Sequence, residues 1–262
     1  MAPTLAAVAK VLRVRGMTFA HLARNPSSLS HVFSDFAVFD DDQTLKHLDE
    51  SGLGIVRFGN SELAYAVGHQ VRTQDQFPQV RKRLRAVIAE YNKGWPAHSN
   101  FALGLPLDLT VGKDVYGRGS SLALWQGSPK YALLPMLRQG PRYSSAHCFR
   151  FHEVRTNLTL GQYKEKVFSI FQRGTVIYVG PTPPPEGLLK WDHFVQIPKS
   201  NAMRCYQQTL SAVEKLAKGR RLITVLITGG ILGTIMSAEL NRGGVRALDI
   251  GQTFRHATEL SL

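Results

Sequence analysis

The sequence predicts an α/β fold, a Rossmann-like parallel sheet flanked by helices in a single domain. Three observations support that class. From Leu160 onward, short β-prone runs alternate with amphipathic helical segments, the pattern of parallel βαβ units with right-handed crossovers. The stretch Gly54-Ile55-Val56-Arg57-Phe58-Gly59-Asn60-Ser61-Glu62-Leu63 reads as strand, tight turn and helix. It sets Arg57, Asn60 and Glu62 at the carboxyl end of a strand, where open α/β sheets place ligands. The 262 residues, 44% apolar and 19% charged, have a globular composition and enough length to bury roughly 70–75% of the extended surface.

Residues 1–34 are read as a basic N-terminal extension and residues 35–262 as the main domain. The extension carries Lys10, Arg13, Arg15 and Arg24, and the first acid is Asp35. In a helix, Leu5, Val8, Ala9 and Leu12 would share one face, with Lys10 and Arg13 opposite. Such a segment suits an anionic membrane surface or packing against the domain, and Gly16 with the small apolar face favours the second. Asn25-Pro26-Ser27-Ser28 is a loop at the boundary. Asp40-Asp41-Asp42 precede Thr44, Leu45 and Leu48 in helical spacing. They are expected as an N-cap and first turn favoured by the helix dipole, not as metal ligands.

Past the central stretch, Leu63, Tyr65, Ala66 and Val67 continue its helix, and Gly68-His69-Gln70 with Thr73-Gln74-Asp75 form a polar connection. Phe77 to Tyr91 is a helix with Val80, Leu84, Val87, Ile88 and Tyr91 on one face. Its other face carries Arg81, Lys82, Arg83 and Arg85, which is solvated or meets an acidic surface. Phe101 to Pro106 reads as a strand opening a long loop through Arg118-Gly119. Trp125, Tyr131, Tyr143, Phe149 and Phe151 are expected in the core, with a platform for a base or sugar as their other use, and His147 and His152 are acid–base candidates. The alternation then runs helix Tyr163–Phe171, strand Thr175–Val179, Pro-rich loop Gly180–Gly187 and strand Phe194–Ile197. Helix Met203–Leu216, strand Arg221–Thr228, helix Ile231–Leu240 and strand Arg246–Ile250 complete it.

Two readings attach to Asn60 and Glu62. An Asn N-cap with Glu in the first turn needs no role beyond starting a helix. Beside Arg57, the same residues could serve a ligand. Thr228-Gly229-Gly230-Ile231-Leu232-Gly233 departs from the dinucleotide fingerprint in having Thr228 at the first glycine. Gly229 and Gly230 offer bare backbone N–H groups at a helix N-terminus, which suits phosphate. Asp249, about 20 residues on, stands where an acid binds a ribose hydroxyl. A nicotinamide-dinucleotide-binding oxidoreductase is therefore one function class, and a turn needing small residues for packing is the bland alternative.

Val56-Arg57-Phe58-Gly59-Asn60-Ser61-Glu62-Leu63 resembles the signature of the GT-D-type glycosyltransferases, a bacterial family long known as a domain of unknown function, whose motif reads Arg-Phe-Gly-Asp-Gly-Glu. Val225-Leu226-Ile227-Thr228-Gly229-Gly230, a helix, and then Arg246-Ala247-Leu248-Asp249-Ile250-Gly251 resemble that family's closing strand, helix and Asp-Ile-Gly element. Ile197-Pro198-Lys199-Ser200-Asn201-Ala202 resembles its Pro-x-x-Asn-Ala segment, and Ser144 to Arg150 loosely resembles its Ser-x-x-x-x-Arg segment. Order and spacing agree from about residue 40 to about residue 253.

The resemblance implies transfer of a sugar from a nucleotide-diphosphate sugar, with a UDP-sugar such as UDP-glucose as donor. The acceptor would be a hydroxyl of a bacterial surface glycan or glycoprotein, in polysaccharide biosynthesis or protein glycosylation. By resemblance, Asn60 and Glu62 would hold a manganese or magnesium ion, and Glu62 and Arg57 would be the catalytic pair. Gly59, Lys199, Ser200, Asn201, Gly229, Gly230 and Asp249 would meet the nucleotide sugar. Two positions depart from the family. Its Asp-x-Glu is Asn60-Ser61-Glu62 here, and exchanging a carboxylate for an amide lowers affinity for a hard cation that prefers anionic oxygens. Its His after Asp-Ile-Gly is Gln252, followed by Thr253 and Phe254. The loss at Asn60 also raises the alternative of a non-catalytic partner subunit in a glycosyltransferase complex.

With 32 Lys and Arg against 19 Asp and Glu, the net charge of +13 favours anionic partners, nucleotide phosphate among them. No zinc-finger, RNA-recognition or basic-zipper pattern is present, so nucleic acid is not expected. Cys148 and Cys205 lack metal-ligand spacing and read as two buried thiols. Lys10, Arg13 and Arg15 interrupt the apolar N-terminal residues, which argues against a secretory segment. The apolar run Leu222 to Met236 is broken by Gly229, Gly230 and Gly233 and falls short of the ~20 residues of a membrane span. The expected location is the cytoplasm, peripheral at the inner membrane face through the extension. Asn157-Leu158-Thr159 fits a glycosylation acceptor and is discounted on the same ground.

Overall fold

The computed structural model describes residues 37–71, 73–95, 100–106, 136–138, 140–151 and 156–254. Through them run α1 (Asp41–Ser51), β1 (Gly54–Arg57), α2 (Asn60–Val67), α3 (Pro78–Gly94), β2 (Phe101–Leu105), β3 (Ser144–Ser145) and α4 (Leu160–Phe171). Then come β4 (Thr175–Gly180), β5 (His193–Gln196), a 3₁₀ turn (Ala202–Cys205), α5 (Tyr206–Ala217), β6 (Ile223–Ile227), α6 (Ile231–Arg242) and β7 (Arg246–Asp249). The readings made for the basic extension, the long loop through Gly119, Trp125, Tyr131 and His152 lie outside the described residues.

The strands form one seven-stranded sheet in the order β3-β2-β1-β7-β6-β4-β5, parallel throughout. Parallel sheets need cover on both faces, and side-chain alternation supplies it. Phe101, Leu103 and Leu105 of β2, Ile177 and Val179 of β4, and Val225 and Ile227 of β6 point into one core, shared with α2, α3, α5 and α6. Ala102, Val176, Tyr178 and Leu226 point into the other, shared with α1 and α4. The result is an α/β fold of three layers. Truncating a central residue such as Leu48 or Ile55, both without solvent exposure, would cost about 2–5 kcal/mol.

Helix starts follow from short polar side chains. Asp40 accepts from Gln43 N at 2.7 Å while Asp40 N donates to Gln43 Oε1 at 3.1 Å, a reciprocal cap for α1. Thr159 and Gln162 repeat the device at α4, which gives Thr159 a structural use. The expected acidic N-cap of α1 is present. In α3 the apolar face is buried as expected, but its basic face is partly engaged: Arg83 bridges to Glu239 at 2.6 Å and Arg85 Nε donates to Ala66 O at 2.7 Å. Of the two cysteines, Cys148 is buried and Cys205 half-buried.

Register brings the functional end together. Gly54–Arg57 pairs with Phe101–Gly104, Ile55 with Leu248, and Ile227 with Asp249. Arg57 and Asp249 thus end adjacent strands. The chain leaves β4 outward to β5 but leaves β6 inward to β7, so the crossovers diverge between neighbours β4 and β6. A crevice at the carboxyl ends follows from that divergence. The order also differs from the dinucleotide-binding arrangement, in which strands 1, 4, 5 and 6 follow one another outward. Among the described residues, no helix is long and apolar enough to cross a membrane.

Candidate active site

At the carboxyl ends lies a cleft of about 820 Å³, walled by the β1–α2 turn, the Pro181–Pro185 loop, Pro198 and Lys199, the Thr228–Gly230 turn and the segment after β7. Of the residues singled out in the sequence, Arg57, Gly59, Asn60, Glu62, Lys199, Gly229, Gly230 and Asp249 line it. Ser200 and Asn201 do not. Asn201 sits in the left-handed region at φ 54°, donates its N–H to Thr73 O at 2.8 Å and accepts from Asp75 N at 2.7 Å through Oδ1. It therefore acts on the cleft through Thr73 and Gln74, which line the wall.

The start of α2 differs from the expected Asn cap. Gly59 is the N-cap, extended at φ −77° and ψ −178°, and Asn60 is the first helical residue. The carboxylate of Glu62 turns back instead and accepts from the N–H groups of Gly59 and of Glu62 itself. That fold-back needs a residue without Cβ at position 59, because a Cβ there would lie 2.8 Å from Glu62 Oε2. Burial raises the Glu62 pKa, opposed by those N–H groups and by the guanidinium groups of Arg57 and Arg150. Glu62 is thus a carboxylate held back from easy ionisation in a wall of donors.

Arg57 is only 3% exposed. Its Nε donates to Ala146 O, and its Nη1 fills the space that a Cβ on Gly251 would occupy. Burial first, then the neighbouring Arg150, pull its pKa down, while Asp249 and Glu62 oppose them. Asp249 Oδ2 accepts from Thr234 Oγ1 at 3.2 Å and Oδ1 from Gly251 N at 3.1 Å. Its pKa is pushed up to about 7, chiefly by burial and further by Glu62, with Arg57 opposing. The single Thr234 hydroxyl proton is shared with Arg57 O, 2.9 Å from Oγ1, which ties α6 to the end of β1.

Arg150 was legible only as the last residue of the Ser-x-x-x-x-Arg segment and drew no role from the sequence. The structure gives it one: β3 and the turn after it deliver Arg150 to the cleft, with Nη2 3.9 Å from the Cβ direction of Gly59. On another wall, α6 begins at Gly230 with no side-chain cap, as α2 begins at Gly59. The N-terminus of α6 therefore opens toward the cleft, the arrangement that favours anions, whereas the first N–H groups of α2 face the Glu62 carboxylate. Tyr178, its hydroxyl 3.2 Å from Thr228 Oγ1, and Phe254 add an aromatic wall. Tyr143, Phe149 and Phe151 are buried, and His147 is 4% exposed away from the cleft lining.

The donor set does not fit a hard divalent ion. Among the described residues no group of three His, Cys, Asp or Glu comes together. Glu62 already takes two backbone N–H groups and faces two guanidinium groups, Asp249 is held by Thr234 and Gly251, and Asn60 brings a neutral amide. A second groove of about 620 Å³ lies between β5 and α5, with exposed Lys215, Lys218 and Arg220 on its rim. It holds none of the site residues and no buried charge, so the chemistry is assigned to the cleft.

No family model matches the sequence. The chain is 26% identical over 227 residues to the probable glycosyl transferase Gly of Streptococcus gordonii, a match covering 82% of this chain and 32% of that protein. It therefore spans about a third of the length of that relative. A solved structure of the highly conserved domain of unknown function 1792, described as having a distinct glycosyltransferase fold, superposes with a TM-score of 0.74 at 21% identity, covering 90% of this chain and 84% of that one. A glycosyltransferase of the same domain type from Streptococcus sanguinis superposes with a TM-score of 0.71 at 22% identity, covering 86% and 85%. The chain has their fold, and the resemblance read from the Arg57–Glu62 stretch is borne out.

Proposed function

We propose that the chain is a glycosyltransferase that takes a sugar from a nucleotide-diphosphate sugar, a UDP-sugar in the first place, and passes it to a hydroxyl of a surface glycan or glycoprotein. The observation that carries this reading is the convergence of Arg57, Glu62, Arg150 and Lys199 with two glycine-capped helix starts in one cleft. The names of the relatives support the reaction class. In the transfer, the bond from the anomeric carbon to the diphosphate oxygen breaks, a bond to the acceptor oxygen forms, and the acceptor proton leaves. The departing diphosphate gains a negative charge, which preorganised N–H groups and cations stabilise.

In this reading Glu62, which lines the cleft and whose proton affinity burial raises, receives the acceptor proton. Arg57 positions it. In the same reading Lys199, Gly229 and Gly230, which line the cleft, meet the nucleotide side of the donor, and Ser200 and Asn201 support from outside the lining. A cytoplasmic location, at the inner membrane face where the basic extension meets anionic lipid, belongs to the same proposal. The oxidoreductase reading has less support. Asp249 packs onto α6, with Oδ1 3.3 Å from the Cβ direction of Gly233, and both its oxygens already accept, from Gly251 N and Thr234 Oγ1.

A thermal-unfolding titration tests the reading. UDP-glucose at 100 times its Kd should raise the unfolding temperature by about 5–10 °C, the equivalent of ~2.7 kcal/mol for a domain of this size, and NADH should not. Glu62→Ala should abolish turnover while the unligated protein unfolds near the wild-type temperature. A response to NADH alone would put the oxidoreductase in its place, and no response to any nucleotide would leave the non-catalytic partner.

A further inference from the structure

The cleft floor is already rich in positive charge. Arg57 and Arg150 face each other closely enough to lower the basicity of Arg57; two carboxylates line the cleft beside them, Glu62, which both guanidinium groups face, and Asp249, whose oxygens are held by Thr234 and Gly251. A dication set against Glu62 would meet two guanidinium groups and would find the Glu62 oxygens committed to backbone N–H groups. Sites for manganese or magnesium are built the other way, from several oxygens with negative charge in excess. A diphosphate meets the opposite situation. Guanidinium is the side chain best matched to phosphate oxygens, because its planar fork donates two parallel bonds.

Arg150 is the residue placed to use that fork. Parallel pairing of Gly104 with Ser144 and Leu105 with Ser145 fixes β3 at the carboxyl edge of the sheet. The turn that follows is closed by Arg150 N donating to His147 O at 2.8 Å, which sets the Arg150 side chain beside Gly59 and Glu62. Arg57, by contrast, has its Nε bonded to Ala146 O and its Nη1 lodged against Gly251, which leaves its guanidinium fork less room to turn toward a ligand in the cleft it lines. Lys199, which is exposed, adds another cation on the same lining.

We infer that the protein's own cations stand in for a metal ion: Arg150, aided by Lys199, binds the diphosphate of the donor, and Arg57 is a positioning residue that holds Glu62. This rests on the nucleotide-sugar reading of the cleft given above. It makes donor binding independent of divalent metal.

Calorimetric titration with UDP, and with UMP as the reference lacking the second phosphate, separates the possibilities. The titrations are run in EDTA and then in excess manganese, on wild type, Arg150→Ala and Arg150→Lys, after circular dichroism has verified the fold of each variant. UDP affinity in EDTA should lie within about twofold of that in manganese. Arg150→Ala should weaken UDP about 30-fold or more, the usual loss for a desolvated charge contact, and UMP far less, with Arg150→Lys between. UDP binding that appears only with manganese overturns the inference and leaves the glycosyltransferase reading standing. UDP affinity untouched in Arg150→Ala overturns the role of Arg150. Failure of both nucleotides to bind in either buffer removes the donor reading itself, and this inference with it.

Discussion

Arg246 opens β7 at the amino end of the sheet, and Arg57 closes β1 at the carboxyl end. Arg246 donates to Gly52 O at 2.9 Å, Ile170 O at 2.8 Å and Thr224 Oγ1 at 3.0 Å, all neutral acceptors, and burial pulls its pKa down to about 10. Arg57 has one such bond, to Ala146 O, and otherwise faces Glu62, Asp249 and Arg150. One guanidinium stitches α1, α4 and β6 together. The other sits on the cleft lining in a cluster where like and unlike charges compete. Arg246 too has a like charge near it, Arg173, but its hydrogen bonds are spent on the fold; Arg57 makes one bond and lines an open cleft, where a ligand can complete the cluster.

Substitution should separate the two ends. Arg246→Ala orphans three acceptors, so it is expected to cost about 2–3 kcal/mol, or roughly 5–10 °C in the unfolding temperature, with nucleotide affinity of the folded protein unchanged. Arg57→Lys keeps the charge but loses the fork. Turnover should fall about 30-fold, some 2 kcal/mol of barrier, with the unfolding temperature nearly that of wild type. If both variants lost stability and activity together, the division between the ends would be wrong.

A smaller effect sharpens the carboxyl end. Folded Asp249 binds its proton more tightly than an unfolded carboxyl does, so the stability it contributes is full below about pH 4 and is lost as pH rises through about 7. Asp249→Asn removes that loss while keeping an acceptor for Thr234. The variant should be on the order of 1–2 kcal/mol more stable than wild type at pH 8 and no different at pH 4, read by denaturant unfolding across that window. Equal slopes for variant and wild type would show that Asp249 does not titrate there. The decline that remains in the variant belongs to Glu62, whose shift has the same sign.

Much of this was legible from local pattern. The buried faces of α1 and α3 follow from helical spacing, and the β6–α6–β7 succession from its apolar runs and glycines. Residues 203–205 instead belong to a 3₁₀ turn before α5. β3 was not legible, because two residues carry no period. Neither was the sheet order: Ile55 pairs with Leu248, and nothing in the local pattern of either strand announces so distant a partner. In the site, Asn60 has a side chain of the type that favours a cap, yet the N-cap is Gly59, with the Glu62 carboxylate folded back over it. Arg150 and Gly251 act through contacts between distant segments, so only the structure assigns them.

The most direct test of the central claim is an amide NMR titration of the labelled protein with UDP. Saturable shifts are expected at Gly59, Asn60 and Ser61 and at Gly229, Gly230 and Ile231, the two glycine-capped helix starts. The side-chain-capped starts at Gln43 and Gln162 should stay in place. Shifts confined to the groove between β5 and α5, with both glycine-capped turns silent, would contradict it.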